Sequence, residues 1–498
     1  MAKPERPVRS NPSALLKPIA IYGVSLALTK AVGFLLLPFY TRFLSPTDFG
    51  VLALLDMVGT YFGIVVEAGF VYTFTKFYHE QSDERWRKRV FSTSLWTTLL
   101  IGAGCFIVVT PLAHRIIDML FVEDANPDYI FYLVMILGTV WIDVLNVLGL
   151  TLFRLREEPI SYLKVTAGRT IIAVGLNVYF IGVMKIGILG FLIANLITAT
   201  LMALLLGLLL LRRHWQRPDR ALAWQMVKFS LPFIPTGFVE AFINAMGVVA
   251  LSMMGHLEAA GVYAIGWKIG GVIMLLSVPV NNWWNPRMFK IAGTPEAPEI
   301  YAKGLSYFFL FMCSGALALG ILAEEIITLM TTPKFHGAIH TIFPLALGLA
   351  FFLLRSDLRI GLALAKRTWL FPLLTGTPIL LGFPLAMRLG ESHGPEGAAW
   401  GVMTAMMLAP ILTGLASRRY LKVPYQLFRL LRILMAIGIC MAAARLHPEI
   451  GLMGRLALLM MGYPLLLLLL RVITWGMVRE AWGWLQQSLK RRLSPSEA

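Results

Sequence analysis

The chain has 498 residues, of which 58% are hydrophobic and only 14% charged, and its formal net charge is +17. Soluble proteins carry about 25% charged residues. A chain this apolar cannot cover its side chains with polar surface, which excludes an ordinary soluble protein and makes lipid its main solvent. The basic residues fall in short clusters between apolar runs, so no folded basic face indicates a nucleic-acid partner.

Apolar runs long enough to cross a bilayer recur along the whole chain. A span needs about 20 apolar residues, and this criterion predicts an all-α, polytopic membrane protein of about fourteen transmembrane helices. The predicted spans are 18–40, 49–75, 91–112, 129–152, 165–184, 187–211, 227–254, 260–284, 304–323, 338–354, 369–389, 397–416, 430–446 and 452–475.

The loops between these spans alternate in charge. Clusters of Lys and Arg follow every even-numbered span up to the twelfth, whereas the intervening loops hold few cations, and the one at 118–128 is acidic. Basic loops stay on the cytoplasmic side of a membrane. The pattern therefore predicts a multi-pass protein with its N- and C-termini in the cytoplasm.

A weak internal repeat divides the predicted spans. Residues 48–53 resemble 259–264, and 187–190 resemble 394–397. Both pairs lie roughly 210 positions apart, a period that contains six spans. The predicted divisions are a cytoplasmic N-terminal tail (1–17), a six-helix N-lobe (18–211), a cytoplasmic linker (212–225), a six-helix C-lobe (226–416), two additional helices (417–475) and a basic cytoplasmic tail (476–498). The basic tail is either an amphipathic helix on the lipid surface or a solvated segment.

A short motif follows the first span and consists of Thr41, Arg42, Leu44, Pro46, Asp48, Phe49 and Gly50. It resembles the start of the oligosaccharide flippase (polysaccharide biosynthesis, Wzx-like) family, within the multidrug/oligosaccharidyl-lipid/polysaccharide exporter superfamily. The resemblance continues at 67–70, 74–78, 229–235 and 261–263. One departure is at Asn244, since many relatives carry an Asp-Arg pair after the seventh span.

The resemblance implies a fold and a substrate. Members of this superfamily have two six-helix lobes, as in the multidrug and toxic-compound extruders (MATE), around a cavity that opens alternately to each side. The substrate implied is a polyprenyl-pyrophosphate-linked glycan that moves from the cytoplasmic to the periplasmic leaflet of a bacterial inner membrane. A polysaccharide polymerase and glycosyltransferases are further candidate partners.

Four cationic residues are candidates for binding the pyrophosphate. Lys30 and Lys268 lie inside predicted spans, where a charge is costly and usually faces protein interior or water. Arg169 and Arg355 fall near the predicted cytoplasmic ends of spans, where a guanidinium could receive a phosphate group with two hydrogen bonds. The alternatives are snorkelling or an acidic partner for the lysines, and anchoring at the headgroup layer for the arginines.

Three acids inside spans are candidates for ion coupling. Glu67 and Glu240 lie deep in the second and seventh spans, and Asp143 is less central. An apolar environment favours the protonated carboxyl group, which would suit proton coupling. The alternative is a structural pairing with Lys30 or Lys268.

The sequence gives no indication of catalysis. No metal-ligand spacing and no glycine-rich phosphate loop occur, so we expect no metal, no cofactor and no enzyme activity. An ion-coupled multidrug or cation antiporter of the same superfamily is the first alternative. A membrane-embedded polysaccharide-processing enzyme, the alternative of another class, would be expected to show a large extramembrane loop or an acidic cluster.

Overall fold

The structure is a computed structural model, and its description covers residues 23, 31–67, 69–121, 126–447, 449–473 and 479. Within these ranges, twelve helices are long and apolar enough to cross a membrane, and a shorter apolar helix, Ala31–Phe43, precedes them. The polytopic all-α fold is therefore confirmed. The predicted tail at 1–17, most of the first span including Lys30, and nearly all of 476–498 lie outside the described residues.

One long helix accounts for two predicted spans. Hydrogen bonding runs through Ile379–Ser417, but Gly394 has φ 60° and ψ −140° and breaks the helical path. This conformation is accessible to glycine because it has no Cβ. The break falls between the predicted spans 369–389 and 397–416. With the short helix before it, the long helix forms a 48-residue helical segment, Leu370–Ser417, that covers nearly all of both spans.

The first compact unit contains the described residues of Met1–Ile265, Leu329–His336 and Phe383–Ala398. Its helices are α1 (Leu37–Phe43), α2 (Pro46–Glu67), α3 (Phe70–Glu80), α4 (Glu84–Val109), α5 (Ala113–Leu120), α6 (Asp128–Leu155), α7 (Pro159–Asn177), α8 (Gly187–His214), α9 (Arg220–Ser230), α10 (Phe233–Met253) and the larger part of α11 (Leu257–Gly270).

The second compact unit contains the described residues of Gly266–Thr328, Gly337–Gly382 and Ala399–Ala498. Its helices are α12 (Val272–Lys290), α13 (Ala297–Ile321), most of α14 (Ala323–Met330), α15 (Ile339–Leu353), α16 (Arg355–Leu358), α17 (Ile360–Leu364), α18 (Leu370–Gly376), the end of α19 (Ile379–Ser417), α20 (Leu427–Leu446), α21 (Leu452–Ala457) and α22 (Tyr463–Leu469). The division into lobes at 212–225 stays a prediction.

The motif at 41–50 starts helix α2. The backbone N–H of Ser45 donates to the Asp48 carboxylate at 2.7 Å, and the backbone N–H of Asp48 donates to the Ser45 hydroxyl at 3.2 Å. This reciprocal pairing is a capping box, which satisfies N–H groups that the first helical turn leaves without partners. The motif therefore sets the position at which α2 begins.

The same motif brings two helices of the first unit together. A Cβ on Gly50 would collide with the backbone carbonyl of Leu257, and a Cβ on Gly261 would collide with that of Pro46. Small residues allow the backbones of membrane helices to approach this closely. Gly50 and Gly261 belong to the two halves of the repeat, which thus meet at the crossing of α2 and α11.

Candidate functional site

An arginine and an aspartate form a bidentate ion pair inside the first unit. Nη1 of Arg169 on α7 lies 2.9 Å from Oδ1 of Asp143 on α6, and Nη2 donates to Oδ2 at 3.1 Å. The two side chains are 34% and 25% exposed. Two parallel hydrogen bonds between guanidinium and carboxylate are the strongest geometry for such a pair. The pair holds α6 and α7 together by charge within the apolar helices.

Asn146 fixes the orientation of the Asp143 carboxylate. Its side-chain amide donates to Oδ1 of Asp143 at 2.8 Å and to the backbone carbonyl of Ala199 on α8 at 3.1 Å. The buried Oδ1 of Asn146 makes no hydrogen bond within the described chain. A buried acceptor without a donor is uncommon in native proteins. Asn146 was not among the predicted residues, although its i, i+3 spacing from Asp143 places both on one face of α6.

A second carboxylate lies near this pair. Glu67 is the last residue of α2 and is half-buried, and its charge repels that of Asp143. The chain turns directly afterwards at Gly69, where φ is 69°. The cluster of Glu67, Asp143 and Arg169 thus carries two acids for one cation, so a single added proton would neutralise it.

Arg169 lies further from the start of its helix than the predicted span indicates. The predicted span starts at residue 165, which puts the arginine near a helix end. Helix α7 begins at Pro159 instead, because proline has a fixed φ suited to the first helical position and needs no hydrogen-bond acceptor there. Arg169 is therefore in the middle of α7.

The other predicted residues are not part of this cluster as described. Glu240 is half-buried on α10, and Lys268 is exposed in the last turn of α11. Arg355 begins α16, where its guanidinium donates to the Thr375 hydroxyl at 3.1 Å and lies 4.0 Å from the centre of the Phe352 ring. Lys30 lies outside the described residues. The structure brings together Arg169, Asp143 and Glu67 from the predicted set.

A family model described as polysaccharide biosynthesis protein matches residues 15–292, which is more than half of the chain. The chain belongs to the polysaccharide biosynthesis protein family. The matched segment contains the Arg169–Asp143 pair, Asn146 and Glu67, together with every predicted residue except Arg355. A search of curated protein sequences found no match.

Solved membrane transporters share the fold of this polysaccharide biosynthesis family member. The lipid II flippase MurJ, in an inward closed conformation, has a TM-score of 0.72 at 14% identity and covers 90% of this chain and 98% of its own. A multidrug resistance MATE family transporter of the MOP superfamily, in an inward-facing conformation, has a TM-score of 0.64 at 16% identity and covers 80% and 97%. An outward-facing MATE family transporter has a TM-score of 0.51 at 16% identity, covering 81% and 95%.

These identities show a shared fold. With twelve apolar helices long enough to cross a membrane among the described residues, the protein is a multi-pass membrane protein. The family match confirms the resemblance to polysaccharide biosynthesis proteins that the motif at residues 41–50 indicated.

Proposed function

We propose that the protein is a flippase that moves a polyprenyl-pyrophosphate-linked oligosaccharide from the cytoplasmic to the periplasmic leaflet of a bacterial inner membrane by alternating access. The observation that carries the proposal is the match to the polysaccharide biosynthesis family over residues 15–292. The fold shared with a lipid II flippase over 90% of this chain supports a lipid-linked substrate.

Arg169 is the residue that binds the pyrophosphate in this proposal. A guanidinium binds carboxylate and phosphate with the same two-pronged geometry, so the substrate competes with Asp143 for Arg169. Substrate binding then favours a rearrangement in which Arg169 exchanges its carboxylate partner for a phosphate.

The remaining predicted residues complete the proposal. Lys30, Lys268 and Arg355 contact the pyrophosphate at other stages of transport, because a doubly charged group needs cationic partners along its path through an apolar medium. Glu67 and Glu240 act with Asp143 in ion coupling.

The test is complementation of a strain that lacks its own copy of the gene. We expect Arg169→Ala to reduce surface polysaccharide more than tenfold and Arg169→Lys to restore part of it, because lysine keeps the charge but loses the two-pronged geometry. The matched control is Arg154→Ala, since the Arg154 guanidinium donates to Thr151 of its own helix at 2.9 Å and to no other residue in the described part of the chain. Normal polysaccharide export by Arg169→Ala at equal protein levels would reject the proposed role of Arg169.

The acids of the first unit favour one alternative, an ion-coupled antiporter for organic cations. Two carboxylates and one guanidinium leave the cluster of Glu67, Asp143 and Arg169 with net negative charge, which suits a cationic cargo. Purified protein in proteoliposomes distinguishes the two functions. Proton-driven movement of a cationic dye, with no transfer of a polyprenyl-pyrophosphate-linked sugar between leaflets, would favour the antiporter and overturn the flippase proposal.

A further inference from the structure

A cavity of about 610 Å³ opens in the first unit, and none of its lining residues is among those assigned to transport. It is lined by the start of α4, the end of α6, the first half of α7 and the end of α8. One part of its wall is charged and the other part is apolar. The cavity therefore fits a ligand that has an ionic group and a hydrocarbon portion.

The charged part of the wall is predominantly cationic. It contains Lys88, Arg156, Lys164 and Arg213, and two acids, Glu84 and Glu158. The wall therefore carries more positive than negative charge.

Arg156 forms ion pairs with both acids. It lies 3.7 Å from Glu84 and 3.1 Å from Glu158. Lys88, Lys164 and Arg213 form no ion pair with any other described residue. Three cations thus remain to attract an anionic group.

The apolar part of the wall continues from these cations along the helices. Val165 and Ile172 come from α7, and Met202, Leu205 and Leu209 come from α8. Ile172 follows Lys164 by about two helical turns, roughly 12 Å along the axis at 1.5 Å per residue. Leu205 and Leu209 are each nearly half exposed. Hydrocarbon chains can therefore lie against the helices while a headgroup stays at the cations.

We propose that this cavity binds an anionic glycerophospholipid. The alternating loop charges predict that this end of the helices faces the cytoplasm, and basic pockets between membrane helices on that side bind phosphate-bearing headgroups. The phosphodiester accepts hydrogen bonds from Lys88, Lys164 and Arg213, and the acyl chains pack in the groove between α7 and α8. This proposal does not depend on which substrate the protein transports.

The lining favours a phospholipid over the glycan carrier. Sugar rings are recognised by aromatic faces and by neutral hydrogen-bonding groups. Ser161 supplies the only hydroxyl among the described lining residues, which include no Asn, Gln, Trp or Tyr. Phe153 and His214 also line the cavity, but both are buried, so the groove offers mainly charge and hydrocarbon contacts.

The test measures lipid bound to the full-length protein. Protein is purified from nanodiscs of phosphatidylcholine containing phosphatidylglycerol, and bound lipid is counted by native mass spectrometry. We expect the triple variant Lys88→Gln, Lys164→Gln, Arg213→Gln to bind phosphatidylglycerol at least tenfold more weakly, since each basic group near an anionic headgroup contributes about fivefold. The control removes the same number of charges from exposed residues on the same predicted side, Lys228→Gln, Arg419→Gln and Lys422→Gln.

A second variant tests the groove without removing charge. A Cβ at Gly168 would meet no atom within 4 Å, so a side chain can start there, and Gly168→Met extends it into the cavity. Gly175→Met on the same helix has equally open space and lies outside the cavity. We expect Gly168→Met to lower phosphatidylglycerol binding and Gly175→Met to leave it unchanged.

Three results would overturn the proposal. An equal loss of phosphatidylglycerol binding in the triple charge variant and in its control would mean that the lipid is held by general surface charge. Equal binding by the Gly168 and Gly175 variants would mean that the cavity is not used. Stronger binding of an unglycosylated polyprenyl pyrophosphate than of phosphatidylglycerol, lost in the same variants, would assign the cavity to the transported carrier.

Discussion

The Arg169 cluster of the first unit and the Arg455 cluster of the second each combine one arginine with two carboxylates, and these two clusters differ in how their hydrogen bonds are used. In the second unit, Nη1 of Arg455 on α21 donates to both oxygens of Glu325 at 2.9 and 3.0 Å, and Nη2 donates to Glu324. The Arg455 side chain is only 12% exposed. In the first unit, Arg169 pairs with Asp143 alone, and Glu67 stands nearby without bonding to it.

The difference assigns a structural role to the Arg455 cluster and an exchange of ionic partners to the Arg169 cluster. Both acids of the second cluster are already bound to Arg455, which ties α21 to α14. In the first cluster, Glu67 forms no ion pair with Arg169. A cluster whose ionic partners are all engaged holds helices together, whereas a cluster with an unengaged charge can change partners during transport. Three predictions test this distinction.

The largest effect is expected at Asp143. Asp143→Asn keeps the size of the side chain but removes the carboxylate that pairs with Arg169, so we expect the exchange with substrate to fail and transport to fall more than tenfold. The measurement is substrate transfer in proteoliposomes. Asp128→Asn on the same helix is the control, since Asp128 is exposed in the first turn of α6. Unchanged transport would contradict the exchange mechanism.

A smaller effect, on stability alone, is expected at Arg455. Arg455→Ala leaves Glu324 and Glu325 without their cation and should lower the free energy of unfolding by roughly 1–3 kcal/mol, below the cost of a fully buried pair because Glu324 is 58% exposed. Thermal unfolding in detergent measures this, with exposed Arg432→Ala on α20 as the control. Transport per folded molecule should stay normal. Loss of transport in well-folded Arg455→Ala would assign this cluster a role beyond packing.

The smallest effects should have opposite signs in the two clusters. Glu67→Gln removes a charge that repels Asp143 and should raise the free energy of unfolding by up to about 1 kcal/mol. Glu325→Gln removes a charge bound to Arg455 and should lower it by about 1 kcal/mol. Both are measured by thermal unfolding of the purified protein. Destabilisation of similar size by both substitutions would mean that Glu67 is a bonded structural partner and that the two clusters have the same structural role.

The fold was predictable because its determinants are local in the sequence. The length of each apolar run sets a span, and the motif from Ser45 to Gly50 contains both the cap of α2 and the glycine of its crossing with α11. The start of α7 was also readable, since Pro159 marks a first helical position. The span criterion missed it because Tyr162 and Lys164 lower the local hydropathy.

The pairings of the charged residues were not predictable from one sequence. Asp143 and Arg169 are each recognisable as charges inside spans, but their contact depends on how α6 and α7 rotate against each other. Helical periodicity gives the face of a residue on its own helix and does not give its partner on the next. Arg455 was less visible still, because it falls at the start of the predicted span 452–475, whereas Glu324 and Glu325 directly follow the predicted span 304–323.

The crossing of Gly50 and Gly261 has a consequence for the biogenesis of the protein. The two glycines are separated by about 210 residues, so at synthesis rates of about 5–20 residues per second the ribosome needs roughly 10 to 40 s to reach the second after the first. During that interval α2 is in the membrane without the helix that covers its small-residue face. That face is then open to other nascent helices and to membrane chaperones, and the first unit can close only after α11 has been inserted.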